Sequence, residues 1–143
     1  MPTVYNTPLV VGAALSAVAA VMHLIIIVGG PAWYRFFGAG EQFASAAAAG
    51  RWYPAAATFG IAAVLASWSA YALSGAGFIE PLPLLKAGLV VITAVYLMRG
   101  LVLFPMLISA RSKITPFIFW SSLICLGYGA VHLLGLTQVW STL

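Results

Sequence analysis

The sequence predicts an all-α integral membrane protein, an up-down bundle of four transmembrane helices with a short interfacial helix in the first loop. Its composition is 64% hydrophobic and 6% charged, whereas soluble chains average about 45–50% and about 25%. Four apolar stretches each approach the ~20 residues that cross a bilayer. Each stretch is continuous, unlike the alternating strands of a membrane barrel. These observations exclude a soluble domain and a disordered chain, and the single cysteine excludes a disulfide scaffold.

The first predicted span covers residues 8–28. Gly29-Gly30-Pro31 follows it, and this sequence is typical of a helix end followed by a residue that does not continue the helix. The second predicted span covers residues 54–73. Arg51-Trp52-Tyr53 precedes it as an interfacial anchor, and Pro54 suits a first helical turn.

The third predicted span covers residues 84–105 and follows Pro83. The fourth covers residues 116–136, where Thr115 is the expected N-cap and proline occupies the first helical position. In the first loop, the alanine-rich segment 41–49 predicts a short helix along the membrane surface. We therefore treat residues 1–143 as one four-span membrane domain.

Basic residues in short loops predict the orientation of the chain. Arg35 and Arg51 lie in the first loop, Arg111 and Lys113 lie in the third, and only Lys86 lies near the second. This distribution places the first and third loops in the cytoplasm and both termini outside, in a multi-pass protein of the cell (inner) membrane. The first seven residues carry no Lys or Arg, so no cleaved signal peptide is expected.

Small residues recur every four positions in the predicted spans, and such residues let membrane helices approach closely. Two of these series end in a histidine with the same spacing of four, four and three residues. They are Gly12, Ser16, Ala20 and His23 in the first span, and Ser121, Cys125, Gly129 and His132 in the fourth. The shared spacing is either a coincidence or the trace of a duplicated helix pair.

Arg99 is the most informative residue, because a guanidinium within a span is costly unless it finds a partner. Counting 1.5 Å per residue predicts that Arg99, His23, Thr58 and Ser121 or Ser122 lie at one level. No span carries a carboxylate, so this donor-rich layer suits an anionic or carbonyl headgroup. The competing interpretation is that Arg99 reaches lipid phosphates and His23 bonds a neighbouring helix.

A second polar group is predicted near the outer side of the membrane. Its members are His132, Lys86, Trp68 and Tyr71. Trp and Tyr at this depth are typical of interfacial belts, and Lys86 is expected to extend toward water. The two histidines lie about 15 Å apart in depth, so they do not share one haem. Neither a metal site nor a bound cofactor is expected.

The sequence lacks a CxxC pair, paired carboxylates and a phosphate-binding glycine motif, and its few basic residues do not indicate nucleic-acid binding. We therefore expect a non-enzymatic binding or accessory membrane subunit for a lipid-like or anionic amphiphile. Its expected partners are the bilayer, that ligand, and copies of itself or a larger membrane complex. A small oligomeric transporter or channel is the first alternative, and a membrane enzyme acting on a lipid or isoprenoid is the second.

Overall fold

A computed structural model of the protein describes residues 5–143, and these residues are helical apart from the connecting turns. The helices are α1 (Thr7–Phe36), α2 (Glu41–Ala48), α3 (Tyr53–Gly75), α4 (Leu85–Leu101), α5 (Leu103–Ser109) and α6 (Pro116–Val139). Four stretches are long and apolar enough to cross a membrane, namely α1, α3, α4 with α5, and α6. This confirms the predicted number of candidate spans. Met1–Val4, on which part of the signal-peptide prediction rests, lie outside the described residues.

Helix α1 extends beyond its predicted end. Gly30 adopts φ 66° and ψ −151°, which interrupts the helix where the sequence predicts a stop. The helix then resumes at Pro31 and continues to Phe36. The reason is that proline has no N–H to lose in a first turn and its fixed φ is already helical.

The third candidate span also continues past its predicted end. Pro105 has no N–H with which to bond the Leu101 carbonyl, and the helix is interrupted between Leu101 and Leu103. Because Pro105 then falls in the first turn of α5, the chain stays helical to Ser109. The candidate span Leu85–Ser109 therefore places Arg99 two residues past its midpoint, closer to the centre than the sequence predicts.

Helix α6 begins at Pro116 as predicted. The Thr115 hydroxyl accepts a hydrogen bond from the Ile118 N–H at 3.2 Å, which confirms the predicted N-cap. The helix does not end near Gly135 but continues to Val139. Gly135 instead gives Leu9 room to pack, since a methyl group on Gly135 would lie 2.6 Å from Leu9 Cγ.

The described residues form two compact units, and α1 and α3 contribute to both. We call residues 5–16 and 68–143 the α4–α6 unit, whose core contains Leu9, Ala76, Leu89 and Leu136. Residues 17–67 form the α2 unit, whose core contains Ile26, Tyr34 and Ala44. Each unit is described below by itself.

Candidate functional site

Helices α4 and α6 approach closely through a reciprocal pair of glycine contacts. A methyl group on Gly100 would lie 2.5 Å from Leu126 Cγ and 2.8 Å from the Leu126 backbone nitrogen. A methyl group on Gly129 would lie 2.6 Å from Leu97 Cδ2 and 3.0 Å from the Leu97 nitrogen. Each glycine thus accepts a leucine of the opposite helix against its backbone. This pairing fixes the distance across which Arg99 reaches α6.

Arg99 extends from α4 to two adjacent serines of α6. One terminal nitrogen (Nη1) donates to Ser122 Oγ at 3.1 Å, and the other (Nη2) donates to Ser121 Oγ at 3.2 Å. Ser122 is fully buried, whereas the Arg99 side chain is exposed. A guanidinium has five N–H groups, so three of them make no hydrogen bond to residues 5–143. The arginine is therefore held in place by hydroxyls and still presents donors outward.

No carboxylate balances the charge of Arg99 within the described part of the chain. The contrast with Arg35 is direct, because Arg35 donates to both Glu41 oxygens, at 2.9 and 2.7 Å. That is the one ion pair found among residues 5–143. The hydrogen bonds from Arg35 and Ser45 lower the pKa of the Glu41 carboxyl from its ordinary 4.5 to about 2. The partners of Arg99 among residues 5–143 are, by contrast, two neutral hydroxyls.

His23 and Thr58, the other members of the predicted layer, belong to the α2 unit. His23 Nδ1 donates to the Ala19 carbonyl at 2.7 Å. The Thr58 hydroxyl contacts the Pro54 carbonyl at 2.8 Å and the Tyr34 hydroxyl at 3.2 Å. Both side chains thus have partners within their own unit. Their grouping with Arg99 stays a prediction.

The predicted second polar group divides between two places in the α4–α6 unit. The Trp68 and His132 rings both pack on Tyr96, with ring centroids 5.0 and 5.2 Å away. Lys86 instead donates to the Trp140 carbonyl at 3.0 Å, and the Tyr71 hydroxyl donates to the Pro83 carbonyl at 3.0 Å. Sequence reasoning missed the central role of Tyr96. The signal was a tyrosine near the middle of a span, away from both interfacial belts.

The cluster around Tyr96 is buried and polar. The Tyr96 and Ser16 hydroxyls are 2.9 Å apart and share a hydrogen bond. His132 Nδ1 donates to the Tyr128 carbonyl at 2.8 Å, so Nε2 is an acceptor, and it has no hydrogen-bond partner among residues 5–143. The imidazole lies against the backbone of Gly12, where a methyl group would come within 2.8 Å of its Cε1 atom. This tight contact leaves no room for a bulky ligand on that side of the ring.

Within residues 5–143, no three His, Cys, Asp or Glu side chains converge to hold a metal ion. Cys125 is a free, half-buried thiol. Comparisons with protein-family models, with curated proteins and with solved structures found no match for the chain.

Proposed function

We propose that the chain is a four-span membrane protein that binds an anionic amphiphile through Arg99, as a binding or accessory subunit without catalysis. The observation that supports this proposal most is that Arg99 donates hydrogen bonds to Ser121 and Ser122. Two neutral hydroxyls orient the guanidinium but leave its charge unbalanced. A phosphate or carboxylate headgroup supplies the missing charge and accepts the remaining N–H groups in short, charge-assisted hydrogen bonds.

The apolar surroundings of Arg99 support an amphiphile rather than a free inorganic anion. Val95 lies one turn before Arg99 on the same face of α4. Val102 follows Arg99 by three residues, at the interruption between α4 and α5. The two valine side chains are 36% and 48% exposed. A ligand with its headgroup at Arg99 therefore finds apolar surface for a chain in either direction along the helix.

The orientation proposed for this protein rests on charge. Arg35 lies in the last turn of α1 and Arg51 lies between α2 and α3, whereas Arg111 and Lys113 lie between α5 and α6. We place these two connections in the cytoplasm and both termini outside, because basic residues are retained on the cytoplasmic side. The serine pair lies five to six residues into α6, about 8 Å along the helix axis. Arg99 then binds its headgroup below the cytoplasmic surface of the cell membrane.

The test is a titration of the protein, purified in an uncharged detergent, with dodecyl phosphate and with dodecylphosphocholine. Dodecyl phosphate is expected to raise the free energy of unfolding, by about 2.7 kcal/mol at a hundredfold excess over Kd. The zwitterionic compound has the same chain length and is expected to stabilise much less. Arg99→Gln is expected to weaken dodecyl phosphate binding about 10–100-fold, because that factor corresponds to the free energy of a hydrogen bond to a charged group.

Arg111→Gln is the matched control, because it removes one exposed arginine from the connection before α6. It is expected to leave the Kd for dodecyl phosphate within about twofold of the wild type, since exposed charges interact weakly. An equal loss of affinity for dodecyl phosphate in the two variants would show that only the net charge of the protein matters. It would contradict a site at Arg99. An equal response of the wild type to both compounds would contradict the proposal as well.

A further inference from the structure

Lys86 is a second cationic residue of the α4–α6 unit that forms no ion pair with a carboxylate of residues 5–143. It lies at the start of α4, and its ammonium donates to the Trp140 carbonyl at 3.0 Å. The same nitrogen lies 4.0 Å from the centre of the Trp140 ring. An ammonium has three N–H groups, so two of them remain for another acceptor. Trp140 thus positions the charge without neutralising it.

Two grooves lie along the start of α4. The larger has a volume of about 760 Å³, and Lys86 and Val90 line it. The smaller has a volume of about 270 Å³, and Trp68 and Ile92 line it. Both volumes are bounded mainly by apolar side chains, and the larger is of the size that holds ligands.

A single ridge of α4 separates the two grooves. Leu84, Ala87 and Val91 border both of them. Val91 lies five residues beyond Lys86, about 7.5 Å along the helix axis. Both grooves therefore extend along the first turns of α4, and Lys86 lines the larger one.

Leu84, the first residue of this ridge, has an unusual backbone conformation. Leu84 adopts φ 53° and ψ 35°, a left-handed conformation that leucine rarely takes. Its side chain is 82% exposed and stands at the head of both grooves. Strained residues persist where the surrounding structure requires them and often mark binding sites. Here the strain projects an apolar side chain between two apolar grooves.

We propose that this place binds one anionic diacyl phospholipid. Its phosphate accepts hydrogen bonds from Lys86, and one acyl chain lies in each groove, on either side of the ridge formed by Leu84, Ala87 and Val91. The single positive charge selects an anionic headgroup, and the paired grooves select two chains. The inference rests on the proposed placement in a membrane and is independent of the ligand at Arg99.

The test uses native mass spectrometry of the Arg99→Gln chain, so that a lipid at Arg99 does not contribute. The probes are dioleoyl phosphatidylglycerol, dioleoyl phosphatidylcholine and single-chain oleoyl lysophosphatidylglycerol. The diacyl anionic lipid is expected to bind about tenfold more tightly than either of the others. The comparison with phosphatidylcholine measures the effect of the headgroup charge, and the comparison with the lysolipid measures the effect of the second acyl chain.

Lys86→Gln is expected to weaken binding of the phosphatidylglycerol about tenfold and to weaken binding of phosphatidylcholine less, because choline offsets the charge of its phosphate. Lys113→Gln, which removes an exposed lysine elsewhere, is expected to change neither. Leu84→Gly relieves the left-handed backbone and removes the apolar side chain at the head of the ridge. It is therefore expected to keep the fold and still to weaken binding of the diacyl lipid about threefold.

Unchanged phosphatidylglycerol binding in Lys86→Gln overturns the proposal, and so does an equal loss in Lys113→Gln. Equal affinities for the diacyl lipid and the lysolipid overturn the two-groove assignment. None of these results bears on Arg99, which the dodecyl phosphate titration tests separately.

Discussion

Gly100→Ala is expected to lower the free energy of unfolding by about 1–3 kcal/mol, the usual cost of inserting a methyl group into close packing. The new methyl group would lie 2.8 Å from the Leu126 backbone nitrogen as well as 2.5 Å from the leucine side chain. A side chain can rotate away, but the backbone of α6 moves only if the two helices separate. Reversible unfolding in mixed detergent micelles measures the change.

Gly127→Ala is the matched control for this prediction. Gly127 lies on α6 beside Leu126, and a methyl group there meets nothing within 4 Å. Alanine is the better helix former by about 1 kcal/mol, so Gly127→Ala is expected to be neutral or stabilising. If both alanine variants have the same stability, the close pairing of α4 and α6 is wrong, and so is the geometry that seats Arg99 on the serines.

Gly12→Ala is expected to have an effect of similar size, about 1–3 kcal/mol, for a different reason. Its methyl group would lie 2.8 Å from Cε1 and 3.0 Å from Nε2 of His132. The imidazole is fully buried and is tied to the Tyr128 carbonyl, so it cannot move away without losing a hydrogen bond. The cost therefore depends on His132 itself.

A double-mutant cycle measures that dependence. His132→Ala removes the ring that the methyl group would strike, so Gly12→Ala is expected to cost less than about 0.5 kcal/mol in the His132→Ala background. A cost that is the same in both backgrounds would show that the substitution acts through the helix backbone or another neighbour. It would contradict the contact between Gly12 and the imidazole.

The helices were predictable because each candidate span is a long, continuous apolar stretch of the length that crosses a bilayer. The ends of the helices were harder to predict, because a helix that is interrupted at a glycine or a proline can continue after the interruption. Gly30 breaks α1, yet Pro31 starts a new turn, and Pro105 does the same in α5. Proline marks an interruption in a sequence, but it does not indicate whether the next segment is helical.

The candidate site was predictable in one respect. Counting the rise per residue brought Arg99 to the level of Ser121 and Ser122, and the two serines accept its hydrogen bonds. Which face of α4 meets α6 was not predictable, because small residues occur on many faces of these helices and only the contacts of Gly100 and Gly129 select one. For the same reason the sequence did not indicate that Arg99 keeps an exposed side chain while it bonds a buried serine.

The proposed binding of an amphiphile requires Arg99 to lie within hydrocarbon, between two connections on opposite sides of the membrane. Single cysteines in a Cys125→Ser chain, treated in whole cells with a membrane-impermeant maleimide, show on which side of the membrane each position lies. Ile79, Met98 and Ser112 are all exposed, so local burial does not protect them. Maleimide reacts with the thiolate, which forms in water and not in hydrocarbon.

We predict that Ile79→Cys reacts in intact cells and that Ser112→Cys reacts only after permeabilisation. We predict that Met98→Cys, beside Arg99 and 61% exposed, reacts in neither case. Labelling of Met98→Cys from either side would contradict the placement of Arg99 in hydrocarbon, because it would put the level of Arg99 in water. Labelling of positions 79 and 112 from the same side would contradict it equally.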